Sequence, residues 1–152
     1  ATGTTYFMTC VEGDGDTTGG AAVGYLKNVS GSFSLADPSD IRLKKNVVDT
    51  AVEGLNTVNA MKVRDYNWKS SGGFVSAGFI ANELADVFAP AVDGEPDAME
   101  SYDAKYDEEG NIIREAGEQI TPMTVSRDIL VPVLVKAIQE LSAEVEKLKG
   151  DA

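Results

Sequence analysis

The chain has 152 residues, 43% hydrophobic and 25% charged, with Lys+Arg 13 against Asp+Glu 25 and a formal net charge of −12. It has no histidine and one cysteine. The missing histidine excludes Ser-His-Asp and Cys-His nucleophile systems, His-containing zinc sites and imidazole acid–base chemistry.

A lone cysteine excludes a disulfide framework within the chain and thiolate zinc sites, and it fits synthesis in a reducing compartment. Catalysis would have to use Ser, Thr, Lys, Tyr or carboxylates, and neither a cofactor nor a metal is expected. The acid excess argues against nucleic-acid binding and against an anionic membrane surface. No run approaches ~18 apolar residues, so no spanning helix is expected. No basic region precedes an apolar core at the start, so no signal peptide is read. A chain beginning at Ala1 rather than Met reads as an internal piece of something longer. Length allows one domain, or one domain with an appendage.

Residues 1–38 differ from the rest. They hold seven of the chain's glycines, many Thr and Ser, and Lys27 as their one basic residue. Short β-prone runs alternate with turn signals: Thr4–Thr9, then Glu12-Gly13-Asp14-Gly15, then Ala22–Leu26 and Ser32–Leu35. The pattern predicts three short strands. With so few large apolar side chains this segment cannot bury a core alone, so it is expected to pair with other chains or with a preceding body.

Ala36-Asp37-Pro38-Ser39-Asp40 is a turn and a boundary, after which the composition becomes mixed. Thr50 is a plausible N-cap, with Glu53 at the capping-box offset, for a short helix through about Met61. Lys62–Lys69 reads as a strand, Ser70-Ser71-Gly72-Gly73 as a turn and Phe74–Ile80 as a second strand, together a hairpin. Ala81–Phe88 reads as a helix stopped by Pro90. Residues 93–118 carry ten carboxylates against Lys105 and Arg114, and hold most of the negative charge. Such a density could ligate a divalent cation, but the spacing lacks a calcium-loop pattern and reads better as a solvated loop. Asp107-Glu108-Glu109-Gly110-Asn111 reads as a hairpin tip between Tyr102–Tyr106 and Ile112–Arg114.

Near the C-terminus, Val131, Leu134, Ile138, Leu141, Val145 and Leu148 alternate three- and four-residue steps. That is a heptad seam with Val131, Ile138 and Val145 at a, and Leu134, Leu141 and Leu148 at d. Glu144 falls at g and Lys149 at e, where neighbouring helices bridge. Pro132 belongs in the first turn, so the helix is expected from near it to Lys149. Val133, Val135 and Ala137 widen the apolar face of the first half, as in a helix packed on its own domain. From Ile138 onward the stripe narrows, which favours self-association. Valine or isoleucine at a with leucine at d favours dimers by the usual rule, but three heptads are short and the remainder of the molecule can set the strand number.

Without histidine, a nucleophilic serine needs another base, and lysine serves if its surroundings keep the amine neutral. Ser39 and Lys44 are five residues apart. That spacing alone carries little weight, since such pairs arise by chance in most chains. The wider string Ser39-Asp40-Ile41-Arg42-Leu43-Lys44-Lys45-Asn46-Val47, however, closely resembles the opening motif of the intramolecular chaperone auto-processing domain. Such domains end many phage tail fibres, tailspikes and endosialidases, and recur in a membrane-tethered transcription factor family. The resemblance continues through Tyr66–Lys69, Gly78–Leu84 and Val87–Val92, and ends in Leu130–Leu141, with the blocks in family order over about residues 39–149. Residues 1–38 resemble the last strands of the preceding fibre.

The resemblance implies an α+β fold: fibre strands over 1–38, then a mixed domain over 39–152 with hairpins and a helix over about 130–149 that forms a trimeric coiled coil. It implies a homotrimer that aligns three chains, lets the upstream β-structure of the same chain fold, and then cuts itself off before Ser39, at Pro38–Ser39. Ser39 matches the family nucleophile and Lys44 the general base. Asp40, Arg42 and Asn46 match supporting positions that shape the turn, with Arg42 helping to keep Lys44 neutral by like-charge repulsion. Pro38 constrains the scissile carbonyl. The protein is expected in a virion tail fibre, made as a precursor in the host cytoplasm, with the mature fibre meeting a host surface receptor. The alternatives are a trimerisation cap that never cuts and a receptor-binding tip using the acidic loop.

Overall fold

In the computed structural model, residues 4–12 and 21–150 are described, and the predicted turn at Gly13–Gly15 lies outside them. The chain forms two units, Ala1–Thr50 and Ala51–Ala152.

In the first unit, β1 (Thr4–Glu12), β2 (Ala21–Val29) and β3 (Ser32–Ala36) form an antiparallel sheet in that order. All three predicted strands are present, each longer than expected. The β2–β3 connection is a two-residue turn in which Ser30 and Gly31 both have positive φ, at 50° and 89°. That backbone matches the right-handed twist of paired strands, and it favours glycine at its second position. Asn28 supports it by accepting from the Gly31 amide at 3.1 Å. No described side chain of this unit is buried. Tyr6, Phe7, Met8, Phe33 and Leu35 are all exposed, Leu35 at 80%.

The second unit is mixed, with short helices and several two-stranded sheets. Helix α1 (Gly54–Ala60) starts three residues later than the expected capping box would place it. Glu53 occupies the N-cap position without a side-chain cap bond. The cap comes instead from Glu140, which accepts from the amides of Gly54 (3.2 Å) and Leu55 (2.7 Å). Hairpin β4 (Arg64–Asn67) and β5 (Phe74–Gly78) is as predicted, with β4 shorter at both ends and β5 shorter at its C-terminal end. Its turn closes through the Trp68 amide to the Gly73 carbonyl at 2.9 Å. Helix α2 (Ala81–Phe88) ends where predicted, and Pro90 sits in the 3₁₀ turn that follows. Arg64 and Lys62 converge on Glu83 of α2, with the Arg64 guanidinium making bonds of 2.9 and 2.7 Å and Lys62 one of 3.3 Å. These bonds hold the Glu83 carboxyl down at about 2.

Strand β6 (Val92–Asp93) pairs antiparallel with β11 (Thr124–Val125), and β7 (Met99–Tyr102) with β10 (Gly117–Ile120). Between them β8 (Lys105–Tyr106) and β9 (Ile112–Arg114) make the acidic hairpin. The predicted Tyr102–Tyr106 strand is therefore split: Tyr102 pairs with Gly117, whereas Tyr106 pairs with Ile112. At the tip, Asp107 Oδ1 accepts from the amides of Glu109 (3.0 Å) and Asn111 (2.7 Å). One carboxylate of the dense acidic run thus holds its own turn.

Helix α3 (Leu130–Gly150) starts two residues before Pro132, which stays in the first turn. Leu84, Ala91 and Leu130 form the buried centre, with Met61, Phe79, Phe88, Val92 and Val125 packed around it. Val133 and Ala137 are also buried, on the α3 face that meets α1. Among the described residues no helix is long and apolar enough to cross a membrane.

Candidate active site

Asp37–Asp40 runs without regular structure, Ile41–Leu43 forms one turn of 3₁₀ helix, and Lys44 leaves it extended. Asp40 is the N-cap, at φ −67° and ψ 137°, and its side chain accepts from the Arg42 amide at 2.8 Å. Two backbone bonds close the turn: the Leu43 amide to the Asp40 carbonyl at 3.0 Å, and the Lys44 amide to the Ile41 carbonyl at 3.1 Å. An aspartate directly before a short turn is the residue type expected there, because its carboxylate meets donors that a helix start leaves unpaired.

Ser39 and Lys44 flank this turn. Lys44 Nζ lies 2.8 Å from Ser39 Oγ, as donor to the hydroxyl. The same separation serves the reverse transfer, from the hydroxyl to a neutral amine, and lies within reach for a general base. Both residues are exposed, as are Ile41, Leu43, Val47 and Val48 beside them, Val48 at 85%.

The supporting residues also have positions. Arg42 folds back on Asp40 in a two-point pair, Nε to Oδ1 at 2.9 Å and Nη2 to Oδ2 at 2.7 Å. The pair lowers the Asp40 carboxyl from its ordinary range and raises the Arg42 guanidinium. The Arg42 charge is thus offset by its neighbour before it reaches Lys44. Asn46 has φ 54°, the left-handed region that asparagine tolerates better than most residues.

The six seam residues are on α3, all exposed, with Ile138 at 66% and Leu148 at 70%. The face that packs inward is a neighbouring one, Leu130, Val133 and Ala137, with Glu140 completing it as the cap of α1. Of the residues thought to widen the apolar face, Val133 and Ala137 serve that packing and Val135 stays exposed. Sequence reasoning missed Glu140, whose partners lie 85 and 86 positions away. No local signal could have found it.

Residues 39–93 match the family model Peptidase_S74, chaperone of endosialidase. No curated protein matches the chain. A solved structure described as a novel intramolecular chaperone is similar at 19% identity and a TM-score of 0.47, covering 70% of this chain and 99% of that one.

Proposed function

We propose that this chain, whose residues 39–93 match the endosialidase-chaperone family model, trimerises, assists folding of the tail-fibre β-structure ahead of it, and then releases itself by cutting Pro38–Ser39. The observation that carries the cleavage reading is the 2.8 Å contact between Lys44 Nζ and Ser39 Oγ across a capped turn.

The chemistry balances within one molecule. Neutral Lys44 accepts the Ser39 hydroxyl proton as Oγ bonds to the Pro38 carbonyl carbon through a five-membered ring. The Pro38–Ser39 C–N bond then breaks, and the Ser39 nitrogen takes a proton to become the new amine. Pro38 is left as an ester on Ser39 Oγ. Water adds to that ester, releasing a Pro38 carboxylate and restoring the hydroxyl. Attacker and target are covalent neighbours, so the proximity advantage is large and no substrate pocket is needed.

Lysine serves as a base where its surroundings favour the neutral amine, and desolvation does so. Ile41, Leu43, Val47 and Val48, exposed in a single chain, are the residues a neighbouring copy would cover to supply it. Cleavage would then follow assembly rather than precede it.

The exposed seam supports the trimerisation part. Six apolar side chains along one face of a 21-residue helix make a stripe that water disfavours and that copies of the same helix can bury. The exposed apolar side chains of β1–β3 support interchain packing of the preceding strands. Such pairing is non-local, slow to nucleate and open to register errors. A joined C-terminal domain raises the local concentration of the chain ends and aligns them. Its later removal leaves a fibre without the route by which it was zipped, which is kinetic stability. Attachment to a host surface would belong to the mature fibre.

The seam supports a non-cutting trimerisation cap equally well, and one experiment separates the two readings. Intact mass is measured on the purified wild type and on Ser39→Ala and Lys44→Met. A wild-type product beginning at Ser39, absent from both variants, is the expected result. Full-length wild type in the assembled state refutes the cleavage reading and leaves the cap.

A further inference from the structure

The geometry points to Asp40 as a positioning residue of the dyad, acting through two separable contacts: its cap on the Arg42 amide winds the turn that brings Lys44 to Ser39, and its ion pair with Arg42 clamps that turn closed. This rests on the cleavage reading above.

The need for such a device follows from how little else holds the turn. Five residues in extended form separate two chain positions by about 17 Å, whereas 3₁₀ winding shortens the path to about 2 Å per residue. The contact between Ser39 and Lys44 therefore exists only while Ile41–Leu43 stay wound. A single isolated turn does not sustain itself, because the first bonds fix many dihedral angles for little return. Packing within the chain does not help: the turn contains no buried residue, and Ile41 and Leu43 are 66% and 71% exposed. Only two backbone bonds close it. The Asp40 carboxylate adds three more, to the Arg42 amide, Nε and Nη2, at 2.8, 2.9 and 2.7 Å. All three run to one residue at the centre of the turn. Arg42 is then a clamp whose charge is already paired, not a free cation beside Lys44.

The two contacts predict different losses. Asp40→Asn keeps a side-chain oxygen for the Arg42 amide, since asparagine caps about as well as aspartate, and loses the ionic clamp. Asp40→Ala loses both. In the full chain, with Ser39 and Lys44 intact, the first-order rate of product formation should fall about twofold in Asp40→Asn and about tenfold in Asp40→Ala. Arg42→Gln should resemble Asp40→Asn. Oligomeric state should be unchanged in all three, because none of them touches the α3 seam. Asp40→Ala cutting at the wild-type rate, or Asn failing to rescue relative to Ala, overturns the assignment.

A second measurement keeps this separate from the cleavage reading. In a Ser39→Ala background, where nothing is cut, amide hydrogen exchange at Arg42 should accelerate with Asp40→Ala and stay slow with Asp40→Asn. Unchanged exchange in Asp40→Ala refutes the cap even if cleavage occurs. Accelerated exchange with an uncut wild type upholds the cap and refutes the cleavage.

Discussion

Replacing Gly54 by alanine sets two effects against each other. Alanine favours a helix over glycine by about 0.8–1 kcal/mol in an interior position, and less at the first residue of α1. Against that stands the approach of α1 to α3. A Cβ at Gly54 would lie 2.7 Å from the Lys136 carbonyl carbon and 2.9 Å from Lys136 Cβ, and closer still to the Ala137 nitrogen. Carbon contacts are comfortable at about 3.5–4.0 Å, so α1 would have to retreat by about 1 Å from a backbone that cannot swing aside. That gap thins the contacts on Val133 and Ala137, now 4% and 5% exposed, and lengthens the two bonds by which Glu140 caps α1. Overpacking of this kind costs about 1–3 kcal/mol, which exceeds the propensity gain. The expected net loss is about 1–2 kcal/mol, or a Tm lower by about 5–10 °C for a unit of this size. Thermal unfolding at one fixed protein concentration checks it, since the proposed assembly would make Tm concentration-dependent. Gly54→Val should be worse. A Tm that rises in Gly54→Ala would refute the reasoning, because it would mean that helix propensity outweighs the close approach.

Ile138→Asp puts a charge in the middle of the seam and leaves the Val133–Ala137 face intact, so sedimentation should show loss of assembly with unit 2 still folded; an unchanged oligomer would remove the seam from the interface. Asn46→Gly should be tolerated at φ 54°, whereas Asn46→Val should cost about 1–2 kcal/mol of local strain and slow the cut; equal rates in mass-based time courses would refute it. Glu83 has its carboxyl lowered from 4.5 to about 2, so its stabilisation is present above the unfolded value and is lost as pH falls through about 2. Between pH 4.5 and 2, Tm should therefore drop less steeply in Glu83→Gln than in the wild type, and parallel curves would show that the Arg64–Lys62–Glu83 cluster does not matter to stability.

Features written in neighbouring residues were readable in advance. A turn between the second and third strands, the Asp107–Asn111 tip, the stop at Pro90 and the Ser39–Lys44 spacing each depend on bonds within about five positions. The heptad rhythm of α3 belongs with them, because helical geometry alone puts those six side chains on one stripe. Distant partners were not readable. Glu140 reads as an ordinary surface acid until folding brings it to Gly54 and Leu55, and the capping box expected at Thr50 and Glu53 gives way to it. Tyr102 leaves its sequence neighbours to pair with Gly117. On α3 the sequence pointed to Val133 and Ala137 as inward, but that Val135 stays outside was decided only by folding. Local bonds are encoded by residue type and spacing, but contacts across 80 positions depend on which surfaces survive competition for burial, and that competition exists only in the folded chain.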